Sequence, residues 1–330
     1  MESQNSLVRF RGERIPSSEE TALREFERVT REDFKVVRQV NAGTRMGFSV
    51  SNNHVTGIGL WMKKLPSVPE SIGDCRELQV LSMDEATINS LPKSVANLKK
   101  LQKMSLNYNN FKNFPEVLTK LPQLTEIDIS DNQLTSVPPS IEKLSNLKIL
   151  HLEANQFTDF PEAVTQIPSL EFLGLRSNML SSIPHSITNL KNLGGLTLAS
   201  NEFTEFPTSI CSLPKLDYLP FDHNDLTEIP KCIGNLQNLL VLDLGYNSIK
   251  EVPDTIGSLS KLKKIRLEHN PIESLPDTMA NLSSLERLSL RGTRIARLPE
   301  SMRGWKMKNL KEIYPKQLRF KTSKEFIYYG

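Results

Sequence analysis

The feature that most constrains this chain is a proline that recurs every 23 residues. Eleven prolines share this register with no insertion or deletion between them: Pro69, Pro92, Pro115, Pro138, Pro161, Pro184, Pro207, Pro230, Pro253, Pro276 and Pro299. A second register carries eight asparagines at the same spacing: Asn109, Asn132, Asn155, Asn178, Asn201, Asn224, Asn247 and Asn270. A fixed period over most of a chain is typical of repeat proteins, whose units pack only against their neighbours.

The repeated unit reads L-x-x-L-x-L-x-x-N-x-L-x-x-L-P-x-x-I-x-x-L-x-x. Leucines at alternate positions, such as Leu150 and Leu152, share one face of the chain, which predicts a short half-buried strand. Stacking the strands of successive units in parallel would satisfy their backbone groups. An asparagine such as Asn155, buried after the strand, must find partners for its donors and its acceptor. Proline then fixes φ and begins the return segment.

This unit resembles the leucine-rich-repeat family, specifically the 23-residue class with L-P-x-x-I found in intracellular Ras-group scaffold proteins. The resemblance covers about residues 55–307. It implies an α/β solenoid, a horseshoe with a parallel concave sheet and about eleven repeats, in which the asparagine ladder is structural. It also implies protein partners. Ras-group members bind small GTPases. No motif in this sequence specifies its partner, so we do not predict that this chain binds a small GTPase.

Alternate repeats in the middle of the chain carry pairs of phenylalanines: Phe111 and Phe114, Phe157 and Phe160, and Phe203 and Phe206. The repeats between them carry aliphatic residues at the same positions, so the period here is 46 residues. Alternating large and small side chains help successive layers of a core to interlock. We therefore predict that the phenylalanines pack in the core rather than form a cofactor site.

The two ends of the chain lack the repeat. Residues 1–54 are predicted to form an N-terminal cap, with a helix over about 18–32 that begins at the S-x-x-E capping box of Ser17 to Glu20. Asn52 and Asn53 separate two alternating runs, which predicts a hairpin. Residues 55–307 are assigned to the repeats. Residues 308–330 are predicted to form a C-terminal cap, the alternative being an exposed aromatic tail that docks a partner.

The cysteines and the apolar runs bear on where the protein acts. Cys75, Cys211 and Cys232 are scattered and form no C-x-x-C pair, which predicts reduced thiols in a reducing compartment. The N-terminus does not resemble a signal peptide, and no stretch of 18 apolar residues occurs. These observations predict a soluble cytoplasmic protein that does not bind a membrane, and we expect a monomer.

The sequence contains none of the short motifs that mark nucleotide, hydrolase, metalloprotease or calcium sites, so no enzyme activity and no cofactor are expected. His223 and His269 share a column two repeats apart. Strand spacing would separate them by about 10 Å, too far for one metal ion. A net charge of +3 argues against a general nucleic-acid binder, which usually has a strong basic bias.

The candidate site is the exposed, concave side of the strands, formed by positions three, five, seven and eight of each unit. Aromatic residues at these positions are typical interface anchors, and Trp61 occupies the first row. The residues predicted to bind a partner are Tyr108, Glu126, Asp128, His151, Glu153, Phe172, Arg176, Tyr218, Asp222, Asp243, Tyr246, Arg266 and Arg287. Pro220 falls in a strand position, where it removes a ladder donor and predicts a local distortion.

Charge is unevenly distributed along the chain. Residues 260–330 contain 16 Lys and Arg and 7 Asp and Glu, a net of +9, so the remaining residues carry +3 − 9 = −6. An acidic centre beside a basic end would steer and orient a charged partner.

These features predict a non-catalytic scaffold of the signalling type that binds a protein on its concave strand face. Two alternatives stay open at this point. One is the substrate-recognition module of a larger enzyme, such as a ubiquitin-ligase-type effector, and the other is a self-assembling structural solenoid. An activity assay on the full gene product would test the first, and light scattering would test the second.

Overall fold

A computed structural model describes residues 6–302 and the two short strands at 312–314 and 319–320. The chain divides into two compact units. The first unit comprises Met1–Phe157 with Gln166–Leu170, and the second comprises Thr158–Thr165 with Glu171–Gly330. Each unit is described by itself.

The first unit begins with a helix and two hairpins. Its elements are β1 (Leu7–Phe10), β2 (Glu13–Pro16), α1 (Ser17–Thr30), β3 (Lys35–Val36), β4 (Gly47–Ser51) and β5 (His54–Gly59). The predicted hairpin is present, because β4 and β5 pair in antiparallel and both Asn52 and Asn53 have positive φ. The β1–β2 hairpin was not predicted. Its turn contains Gly12 at φ 95°, and the Arg11-Gly12 pair between two alternating runs was the available signal.

The helix α1 lies close to the predicted range, but the predicted capping box is wrong. Pro16 is the N-cap residue, and no side chain caps the helix. Glu19 turns inward and is only 2% exposed. Its carboxylate binds the Nδ1 atom of His54 at 2.8 Å and accepts from the Val55 N–H at 2.7 Å. Glu20, the acid of the predicted box, instead forms an ion pair with Arg24 at 2.7 Å, while Glu19 joins the helix to β5.

Each repeat contributes one short strand, and neighbouring strands pair in parallel. In the first unit these strands are β6 (Val80–Ser82), β7 (Lys103–Ser105), β8 (Glu126–Asp128) and β9 (Ile149–His151). In the second unit they are β10 (Phe172–Gly174), β11 (Gly195–Thr197), β12 (Tyr218–Pro220), β13 (Val241–Asp243), β14 (Lys264–Arg266) and β15 (Arg287–Ser289). Paired residues are 23 positions apart, as Lys103 and Glu126 illustrate. The 23-residue period of the sequence therefore determines which residues pair between neighbouring strands.

Pro220 has the predicted effect on this ladder. The β11–β12 register contains the single pair Gly195–Tyr218, whereas β12 and β13 pair over three residues. A proline has no N–H to donate, which shortens the ladder on one side of β12.

The return segments are short 3-10 helices that follow the prolines of the 23-residue register. They are Glu70–Asp74, Lys93–Asn97, Glu116–Lys120, Pro139–Lys143, Glu162–Gln166, His185–Asn189, Thr208–Ser212, Lys231–Asn235, Asp254–Ser258, Asp277–Asn281 and Glu300–Met302. The proline supplies an extended N-cap, as at Pro138 with φ −71° and ψ 149°. Its carbonyl accepts a hydrogen bond from the residue three positions later, here Ile141. Each repeat therefore reverses direction within a few residues.

The core of each unit lies between the strands and the return segments. The strand leucines Leu150 and Leu152 of the first unit are fully buried, and Leu242 and Leu244 are their counterparts in the second. The paired phenylalanines are also buried, at 0 to 9% exposure. In the second unit Phe203 packs edge-on against Phe221, with ring centroids 5.0 Å apart. The phenylalanines thus fill the core, as predicted.

The asparagine side chains hydrogen-bond to the backbone of their own repeat and of the preceding one. The Nδ2 atom of Asn132 lies 3.0 Å from the carbonyl oxygen of Leu106 and 2.9 Å from that of Ser130. Its Oδ1 atom accepts from the Phe111 N–H at 2.9 Å. Asn247 repeats these contacts in the second unit. A buried amide is thereby satisfied while it links two turns of the chain.

The residue before each asparagine adopts a left-handed conformation. In the first unit φ is 53° at Tyr108 and 51° at Asp131, and in the second it is 55° at His223, 53° at Tyr246 and 53° at His269. This conformation turns the chain out of the strand. Because it recurs in every repeat, side chains at this position leave the backbone in the same direction.

The expectation of three reduced cysteines is wrong for two of them. Cys211 and Cys232 form a disulfide in the second unit, with Cα atoms 5.8 Å apart, and Cys75 is a buried free thiol. Their separation of 21 residues is close to the repeat length, so stacking brings two adjacent return segments together. The spacing was the signal for this pairing. A pairing of cysteines about one repeat apart differs from the close spacing of a C-x-x-C pair.

The C-terminal strands are described by their backbone only. β16 (Arg297–Leu298), β17 (Glu312–Tyr314) and β18 (Arg319–Phe320) are present, β17 pairing in parallel with β15 and β18 with β16. The rest of the predicted cap over residues 308–330 lies outside the described residues. The boundaries proposed for the caps and the repeats stay predictions.

Replacing Asn132 with alanine should lower the free energy of unfolding by about 2–3 kcal/mol, because buried backbone groups of two repeats lose their partners. Asn146→Ala is the matched control, since this exposed asparagine makes one hydrogen bond, to the carbonyl oxygen of Pro122. It should cost less than about 1 kcal/mol. Urea unfolding followed by circular dichroism measures both. Equal losses in the two variants would contradict the structural role of the ladder.

Under oxidising conditions Cys232→Ser should lower the free energy of unfolding by about 3 kcal/mol, the chain-entropy value for a loop of this length. Dithiothreitol should abolish the difference between the variant and the wild type. Thiol titration in denaturant without reductant should find one free thiol per chain, that of Cys75. Three free thiols in protein purified under air would show that the disulfide does not form.

Candidate functional site

The exposed sides of the strands form two candidate surfaces, one in each unit. The first face is the side of β6 to β9 opposite the core, and the second face is the corresponding side of β10 to β15. On each face, side chains at equivalent positions come from consecutive repeats, 23 residues apart. Of the predicted site residues, the first face carries Tyr108, Glu126, Asp128, His151 and Glu153. The second carries Phe172, Arg176, Tyr218, Asp222, Asp243, Tyr246, Arg266 and Arg287.

The first face contains a buried carboxylate that the predicted site did not include. Asp84 is 4% exposed and accepts hydrogen bonds from the Ser82 hydroxyl, the Ser105 hydroxyl and the Asn107 N–H. Burial raises the pKa of Asp84 above its ordinary value, against the effect of these donors. The side chain joins β6 to the next repeat and leaves little of its surface for a partner.

The acidic side chains of the first face are paired with their neighbours. Glu126 forms an ion pair with Lys103 at 2.6 Å. Asp128 accepts from the Ser130 hydroxyl at 2.7 Å. Glu153 lies 3.1 Å from the same hydroxyl oxygen and 3.0 Å from the Nδ1 atom of His151. The row that the sequence marks as strongly acidic is therefore partly neutralised within the face.

Burial opposes protonation of His151, but nearby acids outweigh it. The hydrogen bond to Glu153 and the charges of Glu153, Asp128 and Glu126 raise the pKa of His151 above its usual 6.5.

Tyr108 is the exposed aromatic residue of the first face. It is 57% exposed and stands at the left-handed position before Asn109. Trp61, which follows β5, donates its indole N–H to Glu85 Oε1 at 3.1 Å. Tyr108 thus offers an accessible ring, whereas the polar edge of Trp61 is already occupied.

Phe172 on the second face lies over a glycine of the next strand. A Cβ atom placed on Gly195 would lie 2.5 Å from the Phe172 ring. The ring therefore occupies the space that a side chain at position 195 would fill, and Phe172 is half-buried. Tyr218, on β12, is 40% exposed. The large side chain of Phe172 thus requires a small residue at the equivalent position of the next strand.

Three rings stack along the second face. His223 and Tyr246 have centroids 4.2 Å apart, and Tyr246 and His269 are 4.3 Å apart. The interplanar angles are 15° and 19°, so the rings are nearly parallel. All three residues have φ between 53° and 55°. Their shared column is visible in the sequence, but the distance argument against a shared metal ion does not predict the stack.

Two acidic residues predicted to contact a partner instead bind neighbours on the second face. Asp243 is 7% exposed and accepts from Arg266 Nη1 at 2.9 Å and from the Gly245 N–H at 3.2 Å. Burial raises the pKa of Asp243 despite the arginine. Asp222 binds the Nδ1 atom of His223 at 2.8 Å. Asp243 therefore orients Arg266, whose guanidinium remains exposed at the surface.

Within the described part of the chain, no group of three or more His, Cys, Asp or Glu side chains is arranged to hold a metal ion. The helices in that part include none with the length and hydropathy needed to cross a membrane.

The sequence was compared with family models and with curated proteins. The model described as a leucine-rich repeat region matches residues 50–159 and 208–314. No curated protein matched the sequence.

Several solved structures are similar to this chain. A leucine-rich-repeat protein of Leptospira interrogans is 31% identical with a TM-score of 0.68, and the match covers 73% of this chain and 67% of that one. The plant peptide hormone receptor RGFR1 in complex with RGF2 is 25% identical with a TM-score of 0.61, over 78% of this chain and 47% of that one. An internalin of Listeria monocytogenes matches in fold, at 19% identity and a TM-score of 0.63, over 80% and 84% of the two chains. The chain spans less than half of the plant receptor chain.

Glu153→Gln should lower the pKa of His151, because the hydrogen bond to a carboxylate favours the imidazolium form. The raised pKa of the folded state stabilises the protein at acidic pH, and this contribution is lost as pH rises through that pKa. A titration of the histidine ring protons by NMR measures the midpoint. Glu162→Gln, on a return segment, should leave it unchanged. An unaltered midpoint in Glu153→Gln would refute the assigned pair.

Proposed function

The chain belongs to the leucine-rich-repeat family, and we propose that it is a non-catalytic scaffold that binds a partner protein through its exposed strand faces. The observation that carries this proposal is the placement of three large aromatic side chains. Tyr108, Tyr218 and Tyr246 are 57%, 40% and 44% exposed, and all stand on these faces. Tyrosine is favoured as an anchor at the centre of protein interfaces.

The proposed contact surface contains the residues predicted from the sequence. On the first face they are Tyr108, Glu126, Asp128, His151 and Glu153, and on the second they are Phe172, Arg176, Tyr218, Asp222, Asp243, Tyr246, Arg266 and Arg287. Their roles differ. The tyrosines and Arg176 offer accessible surface, whereas Asp243 holds Arg266 in place for the partner. The asparagine ladder keeps the rows in register and takes no part in binding.

A protein partner is favoured over nucleic acid by the balance of charges. The whole chain carries a net charge of +3, and carboxylates such as Asp128, Glu153 and Asp222 lie on the two faces. A phosphate backbone requires a continuous basic surface. The plant receptor RGFR1 was solved in complex with RGF2, which illustrates that the fold accommodates a bound ligand. We further propose that the protein acts as a monomer.

The disulfide bears on the compartment in which the protein acts. The scattered cysteines are one ground on which the sequence predicts a cytoplasmic protein. Cys211 and Cys232 are joined as a disulfide, and such bonds persist mainly in oxidising compartments. The cytoplasmic location therefore loses the support of the cysteines.

The proposal is tested with a triple variant of the second face, Tyr218→Ala, Asp222→Asn and Tyr246→Ala. Pull-down from a lysate of the source organism, quantified by mass spectrometry, should show a partner retained by the wild type and lost by this variant. With the purified partner, calorimetry should give a loss of at least about thirtyfold in affinity, the effect of removing one interface anchor.

The matched control changes three exposed residues of the return segments in the same unit, Thr208→Ala, Lys231→Ala and Asp254→Asn. It should bind like the wild type. Circular dichroism checks that both variants are folded. Loss of the partner in the control but not in the variant of the second face would move the binding site to the return side and overturn the proposal.

A further inference from the structure

A pocket on the second face combines several cations with one carboxylate. It has a volume of about 280 Å³ and lies across β14 and β15. Lys264, Arg266, Arg287 and Arg291 line it together with Glu268. Tyr246 and His269 complete its wall. Three of these seven residues, Tyr246, Arg266 and Arg287, belong to the site predicted from the sequence, and the packing of neighbouring rows adds the other four.

Cations outnumber carboxylates in the lining of this pocket by four to one. Asp243 binds Arg266 at 2.9 Å from outside the pocket lining. Burial and the nearby charges of Arg266 and Arg287 lower the pKa of Lys264 below its ordinary value. The cations therefore crowd one another, and an anion entering the pocket would relieve this repulsion.

The carboxylate of Glu268 narrows the choice of anion. Its Oε2 atom is buried and has no hydrogen-bond partner among the described residues. An unsatisfied buried acceptor favours a ligand that brings an N–H donor. A peptide with acidic side chains offers carboxylates for the cations and amide N–H groups for Glu268. A phosphate diester offers no donor.

The surroundings of the pocket also favour a short acidic segment over a long polyanion. Asp222 and Asp243 lie on the adjacent rows of the same face, and they would repel a nucleic-acid backbone extended across it. The stack of Tyr246 on His269 presents a flat wall beside the cations, with Tyr246 44% exposed. Such a wall suits the apolar part of a peptide side chain.

We propose that this pocket binds an acidic segment of the partner protein, with Lys264, Arg287 and Arg291 contacting carboxylates. The inference rests on the proposed function, because it names the chemistry that the second face recognises. Arg266 is held by Asp243 at the edge of the pocket. Tyr246 and His269 contact the rest of the segment.

The test uses the full chain and a fluorescein-labelled hexaglutamate peptide, followed by fluorescence anisotropy at low salt. Hexaglutamine and hexathymidylate are the neutral and phosphate probes. Lys264→Glu with Arg291→Glu should weaken hexaglutamate binding at least tenfold. The matched control is Lys231→Glu with Lys250→Glu, which changes the net charge equally at exposed positions outside the pocket. It should stay within about twofold of the wild type.

Lys264→Gln with Arg291→Gln provides a milder variant if the charge reversal fails to fold, and its binding should also fall. Equal losses in the pocket and control variants, or equal binding of hexaglutamate and hexaglutamine, would overturn the inference. Tighter binding of hexathymidylate, removed by the same pocket variant, would overturn it in favour of phosphate. If hexaglutamate does not bind but the triple variant Tyr218→Ala, Asp222→Asn and Tyr246→Ala still loses its partner, the inference about the pocket is wrong and the proposed function is retained.

Discussion

The hydrogen bonds of the buried asparagines are the interaction on which the rest of this structure depends. A single repeat cannot bury its own leucines, so each turn of the chain must be joined to the one before it. Asn132 does this with one amide, which donates to Leu106 of the preceding repeat and accepts from Phe111. The residue before the asparagine must then turn out of the strand, which explains the positive φ of Asp131 and its equivalents.

This constraint also determines what the surface can do. Because each repeat has the same backbone conformation, side chains of one column are spaced by the distance between strands. Three rings in one column therefore stack, as Tyr246 does between His223 and His269. The ion pairs Lys103–Glu126 and Arg266–Asp243 likewise join residues 23 positions apart. Exposed positions can vary without altering the core, so recognition and folding are carried by separate sets of residues.

The features that follow from periodicity could be predicted from the sequence, and those that depend on a single contact could not. The strands, the return segments and the hairpin at Asn52 follow from local spacing and turn chemistry. The predicted capping box is absent because the helix begins after Pro16 and the Glu20 carboxylate pairs with Arg24 instead. The disulfide at Cys211 also follows from the period, because return segments one repeat apart lie side by side, although the scattered cysteines were expected to be reduced. The sequence shows which residues occupy equivalent positions on the strand faces. It does not show that neighbouring side chains bury Asp243.

The two faces show why charge along a sequence does not by itself locate a binding site. The acidic row of the first face looks like the stronger feature, yet Lys103 neutralises Glu126, and Ser130 satisfies Asp128. The second face carries fewer acids, and its cations gather around one partly buried carboxylate, Glu268. What attracts a partner is the charge that neighbouring side chains leave uncompensated. By that criterion the proposed recognition chemistry lies at the basic rows, where four cations and one carboxylate line the same pocket.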